Sequence, residues 1–325
     1  MTDAMRRAER LGSGLGSLVR SDRRKPPMSG EGIVIAAGVA LAAAVLAGTS
    51  SRRSAAAPAR RRDPAGACAD GLRRGSALLG ASVLADSTFE HFRGNYDNRL
   101  MYVPPALAAA TIAVGLNRNT PGRAQAGIFS AAALVGAAGL ALHAYNILKR
   151  PGGLSWNNLF YAAPIAAPGA LALSGVLGLS AQRVEAADGY PSRLRRLGRA
   201  MSLVLSGGLL ATVSEVALLH FRGAYHNPAM YAPVVLPPLS AASLVAVAAN
   251  PAPRTLWLSR VLLRATAAVG AIGTALHAYG VHRNMGGWRN WTQNLFSGPP
   301  LPAPPSFTGL ALAGLGVLRL LKGGR

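Results

Sequence analysis

Apolar runs long enough to cross a bilayer recur along the chain, and no strand-like alternation competes with them. The first is 32–49 (GIVIAAGVALAAAVLAGT). Four more lie near 75–92, 101–117, 126–148 and 160–180, and another four near 200–221, 230–249, 257–281 and 304–321. These predict an all-α, polytopic transmembrane bundle of about nine spans. The polar stretches divide it into a basic tail at 1–31, an N-terminal span at 32–49, a basic linker at 50–74, a four-helix unit at 75–180, a second basic linker at 181–199 and a second four-helix unit at 200–325.

The two units are copies of one another. HFRGNYDNRLMYVP at 91–104 recurs as HFRGAYHNPAMYAP at 220–233, with nine of fourteen residues identical. VGAAGLALHAY at 135–145 recurs as VGAIGTALHAY at 269–279, with nine of eleven identical, and NNLF at 157–160 returns as QNLF at 293–296. Chance resemblance between Ala-rich helices would not keep these words in order. Four spans is an even number, so both copies enter the membrane from the same side. The repeats are expected to be parallel, about a pseudo-two-fold axis along the membrane normal. Each HFRG and each HAY ends an odd-numbered span of its unit, so all four words share one membrane face.

Composition and charge agree with this. Half the residues are hydrophobic and 14% are charged, against about 25% in soluble domains. A net charge of +22 would ordinarily suggest nucleic acid. Here the basic residues flank apolar spans, where they set topology and meet anionic lipid headgroups, so nucleic acid is not an expected partner. Seven Lys/Arg lie in 50–74, five in 181–199 (Arg183, Arg193, Arg195, Arg196 and Arg199) and three after Leu318. The positive-inside rule then places linkers and C-terminus in the cytoplasm and the HFRG/HAY face outside a cytoplasmic (inner) membrane. The seven Lys/Arg of residues 1–27 conflict with a spanning 32–49. A start at Met28 removes the conflict, whereas cleavage near Ala47 would strand the Arg-rich linker outside. Cys68 is the single cysteine, which excludes an internal disulfide, thiolate clusters and C-x-x-C-H haem attachment.

Four histidines occupy repeated positions, His91 with His220 and His143 with His277. Two imidazoles at similar depth on neighbouring helices could hold a transition metal or a haem iron, or could tie helix ends to loop backbone. Asp86 and Glu215 each precede a histidine by five residues. That is about 140° around the helix and about 7.5 Å deeper, so the acids could serve as proton or cation sites, or as packing groups. Glu90 shares the face of Asp86, so one of the two is expected to be protonated or paired with Arg93.

The rest of the HFRG word reads structurally first. Gly94 and Gly223 suit a left-handed helix cap, Pro104 and Pro233 a first helical turn, and Tyr96, Tyr102, Tyr225 and Tyr231 an interfacial belt. Beside this, Arg93 and Arg222 with Asn98, Asn227, Tyr96 and Tyr225 could hold a small anionic group. Trp156, Trp288 and Trp291 read as interfacial anchors. SGPPLPAPPS at 297–306 reads as a stiff strap, and Pro237 with Pro238 as a kink.

No Walker loop, HExxH or G-x-S-x-G elbow occurs, so no motif points to an enzyme. Three readings follow. The first is an outward-facing His/Arg site for metal, haem or a small anion, in a membrane subunit of a larger complex. The second is a proton- or cation-coupled transporter using Asp86 and Glu215. The third is a structural membrane scaffold.

Overall fold

The computed structural model describes residues 63–322 apart from 118, 162, 163 and 165, and all of these belong to one unit, Ala37–Arg325. The expected tail, the span at 32–49, the linker up to residue 62 and the Met28 start lie outside the described residues. The described residues are helical, with no strand among them.

Asp63 opens the first helix, accepting hydrogen bonds from the backbone N–H groups of Ala65 and Gly66 at 3.1 Å each, and Pro64 fits the first turn. This helix, α1 (Pro64–Arg93), begins about three turns before the expected 75. Arg73 explains the difference. It is a buried residue rather than a linker charge, and its two terminal nitrogens grip both carboxylate oxygens of Glu185. Then come α2 (Val103–Leu116), α3 (Gly122–Leu148), the short α4 (Trp156–Tyr161) and α5 (Ala166–Ala186).

The second linker is mostly helical as well. Only a turn separates α5 from α6 (Pro191–Arg222), whose first turns carry Arg193, Arg195, Arg196 and Arg199. α7 (Ala232–Ala249) runs unbroken through Pro237 and Pro238. α8 (Pro253–Arg283), the short α9 (Trp291–Ser297) and α10 (Pro305–Leu321) complete the order. A single-turn 3-10 helix precedes α2 at Arg99–Tyr102 and α7 at Pro228–Tyr231.

Among the described residues, five segments are long and apolar enough to cross a membrane: Arg99–Leu116, Gly122–Leu148, Pro191–Arg222, Pro228–Ala249 and Pro253–Arg283. α3 and α8 lie outermost and turn Leu134, Leu142, Val261, Ile272 and Leu276 outward. The interior is apolar too, with buried hydroxyls set into it that bond between helices. Ser76 and Ser174 exchange hydrogen bonds with each other's carbonyls at 2.7 and 2.8 Å, and Ser240 meets Thr266 at 2.7 Å. An apolar outer surface, with the buried hydroxyls satisfied between helices, is the arrangement a lipid solvent selects. The protein is thus built as an integral membrane protein.

α1, α5, α6 and α10 form the centre, and the most extensive packing joins α1 to α10. Small residues permit it: a Cβ on Gly71 would lie 2.9 Å from the Gly316 Cα, and one on Gly316 would lie 3.1 Å from both the Cys68 carbonyl and the Gly71 Cα. The corresponding pair, α5 and α6, packs far less closely. Gly316→Leu should therefore cost about 1–3 kcal/mol through overpacking. Gly127→Leu, where nothing lies within 4 Å of the added atom, should be neutral. Thermal unfolding of the detergent-solubilised proteins checks the difference.

Candidate functional site

The repeated word HFRGxYxN folds into the same lock at the ends of α1 and α6. The His91 Nδ1 lies 2.6 Å from the Met101 carbonyl oxygen, and the His220 Nδ1 lies 2.8 Å from that of Met230. A carbonyl can only accept, so Nδ1 carries the proton. Asn98 accepts from the Leu100 N–H and Asn227 from the Ala229 N–H, both at 2.9 Å, which starts each 3-10 turn. Tyr96 stacks on Tyr102 at 4.2 Å and Tyr225 on Tyr231 at 4.6 Å. Their hydroxyls reach back to the carbonyls of Thr88 and Ala217.

The expected left-handed glycines are not left-handed, because the chain reverses one residue later. Gly94 has φ −82° and Gly223 φ −81°. The Asn95 N–H bonds the Phe92 carbonyl and the Tyr96 N–H that of His91, the Schellman pattern. The left-handed residues are therefore Asn95 and Tyr96 (φ 55° and 47°), and Ala224 and Tyr225 (φ 56° and 45°). Space does not demand glycine strongly either: a Cβ on Gly94 would make an ordinary 3.5 Å contact with the Met101 methyl, and one on Gly223 a tighter 3.2 Å contact with the flexible end of Met230.

The HAY histidines do the same work on other loops. His143 Nδ1 lies 2.6 Å from the Pro164 carbonyl oxygen and His277 Nδ1 2.7 Å from that of Pro300. The second bond pins the proline-rich strap, which Ser82 of α1 holds again through the Pro302 carbonyl.

Phenylalanines join the two halves at this end of the bundle. Phe92 stacks on Phe296 at 5.4 Å, and Phe221 on Phe160 at 5.9 Å. The aromatic ring of each copy's NLF word thus covers the HFR ring of the other copy. Arg222 strengthens one crossing, donating to the Phe160 carbonyl at 3.1 Å and lying 5.0 Å over the Tyr161 ring. Arg93 turns instead to Glu90, at 3.0 Å.

Beneath these stacks lies a cavity of about 1450 Å³. Asp86, Glu90, Arg93, Glu215, Arg222 and His226 line it, and its other walls are largely apolar, including Leu173, Val204, Leu218 and the strap prolines. A cleft of about 60 Å³ shares Asp86, Thr212 and Glu215 with it and adds Ser82 and Ser306. The two acids are close enough to interact electrostatically.

The fold therefore separates the residues that the sequence grouped. Asp86, Glu90, Arg93, Glu215 and Arg222 meet in one cavity, whereas His91, His143, His220, His277, Tyr96, Tyr225, Asn98 and Asn227 brace loops and do not line it. Among the described residues, no group of three or more His, Cys, Asp or Glu is placed to hold a metal ion. His226, Phe160, Phe296, Thr212, Ser82 and Ser306 belong to the site without having been singled out in the sequence. The NLF repeat contained Phe160 and Phe296, the HFRG word contained His226 and the proline-rich strap ended on Ser306, while Thr212 and Ser82 lay in no marked segment. No family model, curated protein or solved structure matches the chain.

Ala224 occupies a left-handed position that costs an alanine about 1–2 kcal/mol. Ala224→Gly should accordingly raise stability by about 1 kcal/mol, seen as a higher unfolding midpoint. Ala170→Gly, in a helix, should lower it.

Proposed function

We propose that this integral membrane protein is a proton- or cation-coupled transporter, in which Asp86 and Glu215 are the titrating or cation-binding pair. The observation that carries the reading is their common placement. Two acids at equivalent positions of duplicated helices line the same cavity and the same small cleft. Intramembrane acids are costly to keep and commonly mark ion or proton paths. The histidines, by contrast, already have structural work in every repeat.

In this reading the two four-helix units are parallel copies, with 32–49 as an additional span, in a cytoplasmic membrane. Their HFRG/HAY ends face outward, and the basic α5–α6 turn and C-terminus lie in the cytoplasm among anionic lipid headgroups. Asn98→Cys should react with a membrane-impermeant maleimide on intact cells, and Asp188→Cys only after permeabilisation. The reverse pattern would overturn the orientation.

Coupling is tested on the purified protein in lipid nanodiscs with a pH-sensitive dye. A sodium or potassium pulse should displace protons from the wild-type protein, and the Asp86→Asn/Glu215→Gln double variant should release none. Equal release from both would end the transport reading.

A second reading keeps a metal or haem iron on the histidines, alone or in a larger membrane complex. An Nδ1–carbonyl bond is the arrangement that orients Nε2 toward a ligand. His91 also lies within electrostatic reach of His143, and His277 of His220. Elemental analysis and an absorption spectrum of the purified protein decide it: a Soret band or a stoichiometric metal lost in His143→Ala/His277→Ala supports this reading, and a metal-free, featureless protein rejects it.

A further inference from the structure

Two residues of the second copy that line the large cavity stand where the first copy has an acid. Leu219 replaces Glu90, and His226 replaces Asp97. Each exchange removes a carboxylate from the second copy's side. In the first copy Glu90 holds Arg93 at 3.0 Å and offsets its charge. Arg222 has Leu219 at that position, and donates to the Phe160 carbonyl at 3.1 Å while lying 5.0 Å over the Tyr161 ring. Carbonyl and ring are neutral, so they fix the guanidinium without cancelling its charge, and the carbonyl takes one of its several N–H donors. The His226 Nδ1 lies 3.1 Å from the Gly223 carbonyl oxygen, which anchors the imidazole at the same end.

The cavity is graded along its length. Glu215 and Arg222 are seven residues apart on α6, as Asp86 and Arg93 are on α1. That is about 10 Å along a helix and nearly the same face. The acids therefore lie about two turns deeper than the arginines, and Phe89, Leu218 and Leu219 line the interval. A volume of about 1450 Å³ exceeds the roughly 300–1,000 Å³ of pockets that take drug-sized molecules. A cationic end on a long, mostly apolar chamber suits a molecule with an acidic head and a hydrocarbon body. The head gains charge-assisted hydrogen bonds from the guanidinium, and the body gains burial.

We infer that the cargo of this cavity is an amphipathic anion, its carboxylate or phosphate head held by Arg222 and His226 and its hydrocarbon body in the apolar chamber. This rests on the transport reading and names its substrate class.

The test is equilibrium binding of radiolabelled laurate to the full-length protein in nanodiscs of zwitterionic lipid, corrected for uptake by empty nanodiscs. Unlabelled laurate and dodecyl phosphate should compete. Dodecanol, with no charge, dodecyltrimethylammonium, with the opposite charge, and inorganic phosphate, with no body, should each compete at least about tenfold more weakly. Arg222→Gln should weaken laurate by about tenfold or more. Leu219→Glu, which restores the first copy's acid beside an intact Arg222, should also weaken it. Because the competitor series uses only the wild-type protein, it remains decisive if a variant misfolds. Equal competition by dodecanol would show that only apolar burial holds the ligand and would overturn the inference. Equal competition by inorganic phosphate would reduce the site to one for small anions and overturn the amphipathic cargo. Undiminished laurate binding by a folded Arg222→Gln protein would overturn the placement of the head. Absence of saturable laurate binding, with cation-driven proton release intact, would remove the anion and leave the transport reading standing. Loss of both would remove both.

Discussion

The crossing of α1 and α10 sets the distance between the two halves of the bundle. Gly71 and Gly316 let the backbones meet there with no side chain between them, and Cys68 and Ala313 fill the flanks of the contact. Lipid offers no hydrophobic drive for helices to associate, so close van der Waals contact of this kind has to supply it. Nothing comparable draws α5 to α6. On that side Gly208 faces the Leu173 side chain rather than another backbone, and residues of both helices form walls of the cavity. A duplicated sequence with one tight and one loose seam encloses space on the loose side. The chamber thus arises from a few glycines placed elsewhere.

The sequence announced the bundle through its apolar runs, and the repeat through its shared words. Both are one-dimensional signals: a run of about twenty apolar residues or a recurring string needs no knowledge of neighbours. The limits of α1 were harder to read because Arg73 resembles a linker charge until Glu185, more than a hundred positions away, is brought against it. Likewise, Gly94 and Gly223 drew attention as helix caps because glycine usually fills that role, while the actual left-handed positions are taken by Asn95, Tyr96, Ala224 and Tyr225. Stacked tyrosines and a histidine bond hold that geometry, and no local propensity reports them.

The site was only half legible for a related reason. Repetition marks whatever both halves must keep, and it marks a brace as strongly as a binding residue. The histidines are the most visible repeated residues, and the fold gives them to loop carbonyls. Asp86 and Glu215 are a quieter pair, matched in position but not in residue type. Their significance emerges only when two helices place them on the wall of one cavity. Ser82 and Thr212 carried no signal at all, since serine and threonine are ordinary in packed membrane helices, and only the fold puts them beside the two acids.

The paired phenylalanine stacks have a consequence for how such a protein could arise. Phe160 is covered by Phe221 and Phe296 covers Phe92, so the HFRG end of each half is finished by a ring that the other half lends. A solitary unit would keep its own NLF ring without the surface that ring fits. Two identical units would satisfy each other reciprocally, as a closed symmetric dimer does. Joining them in one chain preserves the exchange while releasing each copy from identity with its partner. The divergence is visible where it matters: Arg93 is spent on Glu90, Leu219 stands where Glu90 would recur, and the freed Arg222 fastens to the opposite half. Within one chain, the two sides of the pocket are free to differ, and they do.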